Sequence, residues 1–68
     1  MNEETFNLSI RKFLKMVGVN SQREIEQAVA KAIAAGGIQG TETLPVTMTL
    51  EIAQLKVQVK FDGSIALQ

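Results

Sequence analysis

Apolar residues in the N-terminal part of the chain recur at helical spacing. From Asn2 to Val17 they stand three or four positions apart, at Phe6, Ile10, Phe13, Leu14 and Val17. This period of 3.6 predicts a first helix over residues 2–17, capped at its start by Asn2 or Thr5. Gly18 is suited to end the helix, because glycine adopts a left-handed conformation without a Cβ clash.

A second helix is predicted from Ser21 to the pair Gly36-Gly37. Ser21-Gln22-Arg23-Glu24 has the S-x-x-E pattern of a capping box, in which the Ser and Glu side chains each satisfy a free backbone amide. The helical apolar positions that follow are Ile25, Ala28, Val29, Ala32 and Ile33. Residues 18–20 would then join the two helices in a tight αα-corner or hairpin.

From Val46 onward the apolar period changes to two, which indicates half-buried strands. The alternating apolar positions are Val46, Met48, Leu50 and Ile52, then Leu55, Val57, Val59 and Phe61. A two-residue turn at Ala53-Gln54 would place Ile52 opposite Leu55 and Glu51 opposite Lys56, with all apolar residues on one face. Because this turn has no glycine, a wider loop is the alternative.

Asp62-Gly63 is a turn signal, and it predicts a short third strand over residues 64–68. Ile65 and Leu67 would join the apolar face if residues 61–63 form a three-residue turn with a bulge at Gly63.

These elements predict a single α+β domain over residues 1–68, in the order ααβββ. An antiparallel meander with one apolar face must cover that face, and the two helices would pack on it as a second layer. The predicted core consists of Phe6, Ile10, Phe13, Leu14, Val17, Ile25, Val29, Ile33, Met48, Leu50, Ile52, Leu55, Val57, Val59 and Phe61.

The composition removes most catalytic and metal-binding chemistry. The 68 residues include no Cys and no His, so the commonest general base and the commonest ligands of transition metals are missing. We therefore predict no catalytic, cofactor-binding or metal-binding residues and no enzymatic activity. No signal peptide or long apolar segment is evident, so a cytoplasmic location is expected and a membrane is not an expected partner.

Residues 10–33 resemble a helix-turn-helix, which offers nucleic-acid binding as one hypothesis. The candidate contacts near the start of the second helix are Gln22, Arg23, Gln27 and Lys31. Seven basic residues offset seven acidic ones, and nucleic-acid-binding domains usually carry a basic excess. A plain αα-corner is therefore the favoured interpretation of this segment.

Gly37-Ile38-Gln39-Gly40 has the G-x-x-G spacing of a phosphate-binding loop. Such a loop joins two helices, whereas this one leads from a helix toward a strand. The end of a helix followed by a turn explains both glycines without a ligand.

A module that binds another protein or itself is the leading hypothesis for function. The edge strands at residues 46–52 and 64–68 would offer unpaired backbone groups for strand addition. A weak nucleic-acid-binding protein that uses segment 10–33 is the alternative.

The chain also resembles a family of short bacterial proteins that is catalogued as a domain of unknown function. The segments that carry the resemblance are Met1–Asn7, Ile10–Val19, Ser21–Glu26, Gly40–Glu42 and Met48–Ile52. The resemblance covers nearly the whole chain, and it implies a small free-standing protein without an assigned activity or site.

Overall fold

The computed structural model describes all 68 residues, which form two compact units, Met1–Ala35 and Gly36–Gln68. The first unit contains one long helix, α1 (Glu3–Ala34). The second contains strand β1 (Thr43–Ile52), a short 3-10 helix (Ala53–Leu55) and strand β2 (Val57–Ala66). The two strands form an antiparallel sheet. The class is thus α+β, but the prediction of two helices and three strands in a two-layer sandwich is wrong.

The helix α1 begins where the sequence predicts and then continues through the predicted break. The Oδ1 of Asn2 accepts a hydrogen bond of 3.0 Å from the amide of Thr5, as expected of an N-cap. At the predicted corner Gly18 keeps a negative φ, and the side-chain amide of Asn20 donates to the carbonyl of Met16 one turn earlier. Ser21 is therefore an interior residue, and the predicted capping box does not form.

The end of the helix agrees with the glycine signal at its C-terminus. The last helical residue is Ala34, and Gly36 adopts a positive φ of 78° just beyond it. Glycine permits a left-handed conformation but does not require it, so Gly18 lies inside the helix whereas Gly36 follows its end.

The hairpin has the predicted apolar face but a different register. The loop between the strands has four residues, 53–56, and Lys56 closes it with φ 54° and ψ 36°. Ile52 therefore pairs with Val57, and Glu51 pairs with Gln58 rather than with Lys56. A shift of two residues preserves the alternation of faces, which is why the faces are correct although the partners are not.

Residues 64–66 of the predicted third strand belong to β2, and residues 67 and 68 lie beyond its end. Gly63 does not adopt a positive φ, so Asp62-Gly63 forms no turn and the strand continues to Ala66. Gly63 instead pairs with Val46, and a Cβ on this glycine would lie 3.7 Å from a methyl group of Val46.

No residue of the chain is buried. Every member of the predicted core is exposed or half-buried, including Leu55, which lies in the loop with 68% of its surface exposed. Each unit by itself has a single layer of secondary structure, so neither unit contains a second layer that would enclose these side chains.

Candidate protein-interaction surface

The hairpin presents one continuous apolar surface, which we call the apolar face. Its residues are Leu44, Val46, Met48, Leu50 and Ile52 on β1, and Val57, Val59, Phe61, Gly63 and Ile65 on β2. The cross-strand pairs include Met48 with Phe61 and Leu50 with Val59. Met48 is 42% exposed and Phe61 is 57% exposed, although both lie in the middle of the sheet. The apolar face therefore has the amino-acid composition of a protein core, but its side chains are not buried.

The opposite side of the hairpin is polar. Thr47 pairs with Asp62 on this side, and the Thr47 hydroxyl donates a hydrogen bond of 2.8 Å to Asp62 Oδ1. Thr49 pairs with Lys60, and Glu51 pairs with Gln58. The two sides thus differ sharply in polarity, which is the pattern of antiparallel sheets with one packed face and one solvated face.

The outer edges of the two strands are not equivalent. The amide of Leu67 donates to the carbonyl of Glu42, which makes this pair hydrogen-bonded. Because hydrogen-bonded and non-hydrogen-bonded pairs alternate, odd-numbered residues of β1 and even-numbered residues of β2 direct their backbone groups outward. Pro45 is one of these outward residues of β1, and it has no N–H to donate. The outer edge of β2 has no proline and keeps every donor from Gln58 to Ala66.

The segment before β1 folds around the carboxylate of Glu42. Glu42 Oε2 accepts from the amide of Gln39 at 2.8 Å, and Oε1 accepts from the amides of Gly40 at 2.9 Å and Thr41 at 3.1 Å. Gly40 has a φ of 95°, which lets consecutive amides converge on one anion. The G-x-x-G segment thus supplies amides to an anion, and that anion is a side chain of the protein.

These amides shift the acidity of Glu42. The hydrogen bond from Gln39, helped by those from the amides of residues 40–42 and opposed by partial desolvation, holds the pKa of Glu42 below its usual 4.5. A lowered pKa means that the carboxylate stabilises the loop fully above pH 4.5, and that this stabilisation is lost as the pH falls through the lowered value.

We therefore expect the backbone amide resonances of Gln39, Gly40 and Thr41 to titrate together with a midpoint below pH 4.5. An NMR pH titration measures this, and in Glu42→Gln the common transition should disappear. A midpoint at or above 4.5 would show that the carboxylate is not held by these amides.

The predicted nucleic-acid contacts all lie on the single helix α1. Arg23, Gln27 and Lys31 follow one another at intervals of four residues and share a side of the helix, whereas Gln22 lies about 100° away from Arg23. All four are exposed. Since α1 has no turn at residues 18–20, the helix-turn-helix geometry that suggested these contacts is absent. Binding of nucleic acid by these residues stays a prediction.

No group of three or more His, Cys, Asp or Glu residues is arranged to hold a metal ion. No helix combines the length and the apolar character that crossing a membrane requires.

Comparison with protein families gives one result. The model of a family described as a family of unknown function (DUF6494) matches residues 1–68, the whole chain. This match confirms the expected resemblance to a family of unknown function. Neither a curated protein nor a solved structure matches the chain.

Proposed function

Because the chain belongs to DUF6494, a family of unknown function, we propose a function from its own surfaces. In this proposal the chain is a small, non-enzymatic, cytoplasmic protein that acts as an interaction module. It binds another protein through the apolar face of the hairpin.

One observation carries the proposal: the chain buries no residue, yet one side of its sheet is apolar along its whole length. Strands of ten residues are roughly 30 Å long, and two strands are about 10 Å wide, so the face covers about 300 Å² before side-chain relief is counted. Patches of this size on small proteins often mark interaction sites. A hairpin of two strands is also only marginally stable in water without a cover.

The chemistry of the face favours a protein as the ligand. None of its residues is charged, whereas binding to nucleic acid depends on basic residues that neutralise phosphates. Alternating side chains of β1 and β2 form shallow rows that suit the apolar side of an amphipathic helix or of another sheet.

Site-specific photo-crosslinking in cells tests this proposal. A photoreactive amino acid at Met48 lies on the apolar face, and the same amino acid at the neighbouring Thr49 lies on the polar side of the same strand. We expect covalent adducts with protein from position 48 and at least tenfold fewer from position 49. Equal yields from both positions, or no protein adduct from either, would contradict the proposal.

A further inference from the structure

The geometry of the hairpin points to a second copy of this chain as the partner of the outer edge of β2. We infer that β2 pairs antiparallel with β2 of the partner, so that two hairpins form one sheet of four strands. This inference concerns the edge of β2, whereas the proposed function concerns the apolar face, and each can fail without the other.

The backbone of β2 meets the first requirement for such pairing. Its even-numbered residues direct N–H and C=O groups outward, and none of them is a proline. The matching edge of β1 is interrupted by Pro45, which is a known way of blocking strand addition. Of the two edges, that of β2 therefore offers the longer unbroken row of hydrogen-bonding groups.

Charge selects one register for the pairing. Residues that exchange hydrogen bonds must both direct their backbone groups outward, so an even-numbered residue must stand opposite an even-numbered one. If Lys60 stands opposite the partner's Asp62, the two-fold axis repeats this pair of opposite charges. Sliding one strand along the other by two residues in one direction places Lys60 opposite the partner's Lys60. Sliding it by two residues in the opposite direction places Asp62 opposite the partner's Asp62. Like charges directly opposite one another destabilise a sheet, so of these three registers only the first is favourable.

The selected register also suits the apolar face. It places Phe61 on the two-fold axis, directly opposite the partner's Phe61, in a non-hydrogen-bonded pair where side chains approach closely. Val59 then stands opposite the partner's Gly63, and Val57 stands opposite the partner's Ile65. Aromatic pairs and pairs of β-branched residues are favourable in such positions. The contact is self-complementary, as a two-fold interface requires.

The intrachain hydrogen bond to Asp62 is compatible with this contact. The Thr47 hydroxyl occupies Oδ1 of Asp62, which orients the carboxylate and leaves Oδ2 for a cation from the other side. Four strands with a common apolar face exceed the number that a sheet needs for independent stability.

Charge reversal measured by sedimentation equilibrium tests the inference. The purified chain should form a dimer of twice its 7.4 kDa mass. Lys60→Glu or Asp62→Lys alone replaces two attractive pairs by two repulsive ones, so each should raise the dimer dissociation constant by roughly tenfold or more. The double variant restores opposite charges, and its dissociation constant should return to within about threefold of the original. Thr47→Val removes the intrachain hydrogen bond alone and should leave the dimer in place.

A disulfide test checks the register independently, because the chain has no cysteine of its own. In Phe61→Cys the two thiols face each other across the axis at a separation that a disulfide can bridge, so oxidation should give a covalent dimer. In Val59→Cys the thiols lie on the same face but about 14 Å apart, and no such dimer should form at the same protein concentration.

A chain that remains monomeric up to millimolar concentration would overturn the inference. So would a double charge reversal that fails to restore dimerisation, or equal disulfide yields from positions 59 and 61.

Discussion

Replacement of Leu50 by Asp is expected to abolish the ordered hairpin, and Val57→Asp should do the same. Both side chains lie half-buried on the apolar face, where Leu50 pairs with Val59 and Val57 pairs with Ile52. Removing a large apolar side chain from such a site costs about 1–2 kcal/mol, and placing a charge among apolar neighbours adds to this. A two-stranded hairpin has little stability to lose.

The matched control for these variants is Thr49→Lys. Thr49 is adjacent to Leu50 but points to the polar side, where its partner is Lys60, so the hairpin should persist with a small loss from the like charges. NMR chemical shifts of the strand residues report the outcome. An ordered hairpin in Leu50→Asp together with a disordered one in Thr49→Lys would show that the two faces are assigned the wrong way round.

Replacement of Gly18 by Pro is expected to break α1 and to destabilise it by about 3 kcal/mol or more. Gly18→Ala should have the opposite effect and stabilise the helix by up to about 1 kcal/mol, because alanine has the higher helix propensity. A Cβ at position 18 meets no other atom within 4 Å, and the backbone there has a negative φ, so no clash opposes the gain.

Gly36→Ala is the control for this pair of variants. Gly36 has a φ of 78°, a conformation that strains any residue with a Cβ, so its replacement by alanine should destabilise the end of the helix. Circular dichroism during thermal unfolding measures all three variants. A loss of helix content in Gly18→Ala would support two helices separated by a left-handed glycine.

The alternation of residues along the strands was the most informative part of the sequence. It placed Val46, Met48, Leu50, Ile52, Val57, Val59 and Phe61 on the correct side, because the period of two depends only on which side each residue faces. Leu55 was expected on this face but lies in the loop, and Leu44 and Gly63 were not predicted to belong to it. The pairing depends on the length of the loop, and the left-handed conformation of Lys56 allowed four residues where two were predicted. A change of two residues leaves the strand side chains on their predicted sides, so, apart from Leu55, the error affected the partners and not the faces.

The breaks in the structure were less predictable, because glycine and capping motifs only permit a change of direction. Gly18 and Ser21 are compatible with the end of one helix and the start of another, but also with the interior of a single helix. Asp62-Gly63 similarly permits a turn, yet both residues pair with β1 and the strand continues to Ala66. Two helices and three strands were wrongly predicted because these residues are compatible with a break in the helix or strand but do not force one.

The candidate surface could be predicted only in part. The alternating apolar residues are visible in the sequence, and so is Pro45, which indicates the entry to a strand. The length of the free edge of β2 could not be predicted, because it depends on the absence of a turn at Asp62-Gly63. The binding of the Glu42 carboxylate by three amides depends on the positive φ of Gly40, and no sequence motif indicated it.

If a partner protein covers the apolar face, hydroxyl-radical footprinting in cells detects the cover as protection of Met48. Oxidation of Met48 would be compared between the dilute purified chain and the chain inside cells, with the exposed loop residue Leu55 as the internal reference. We expect Met48 to become several-fold less reactive in cells while Leu55 keeps its reactivity. Equal oxidation of Met48 in both settings would contradict this expectation.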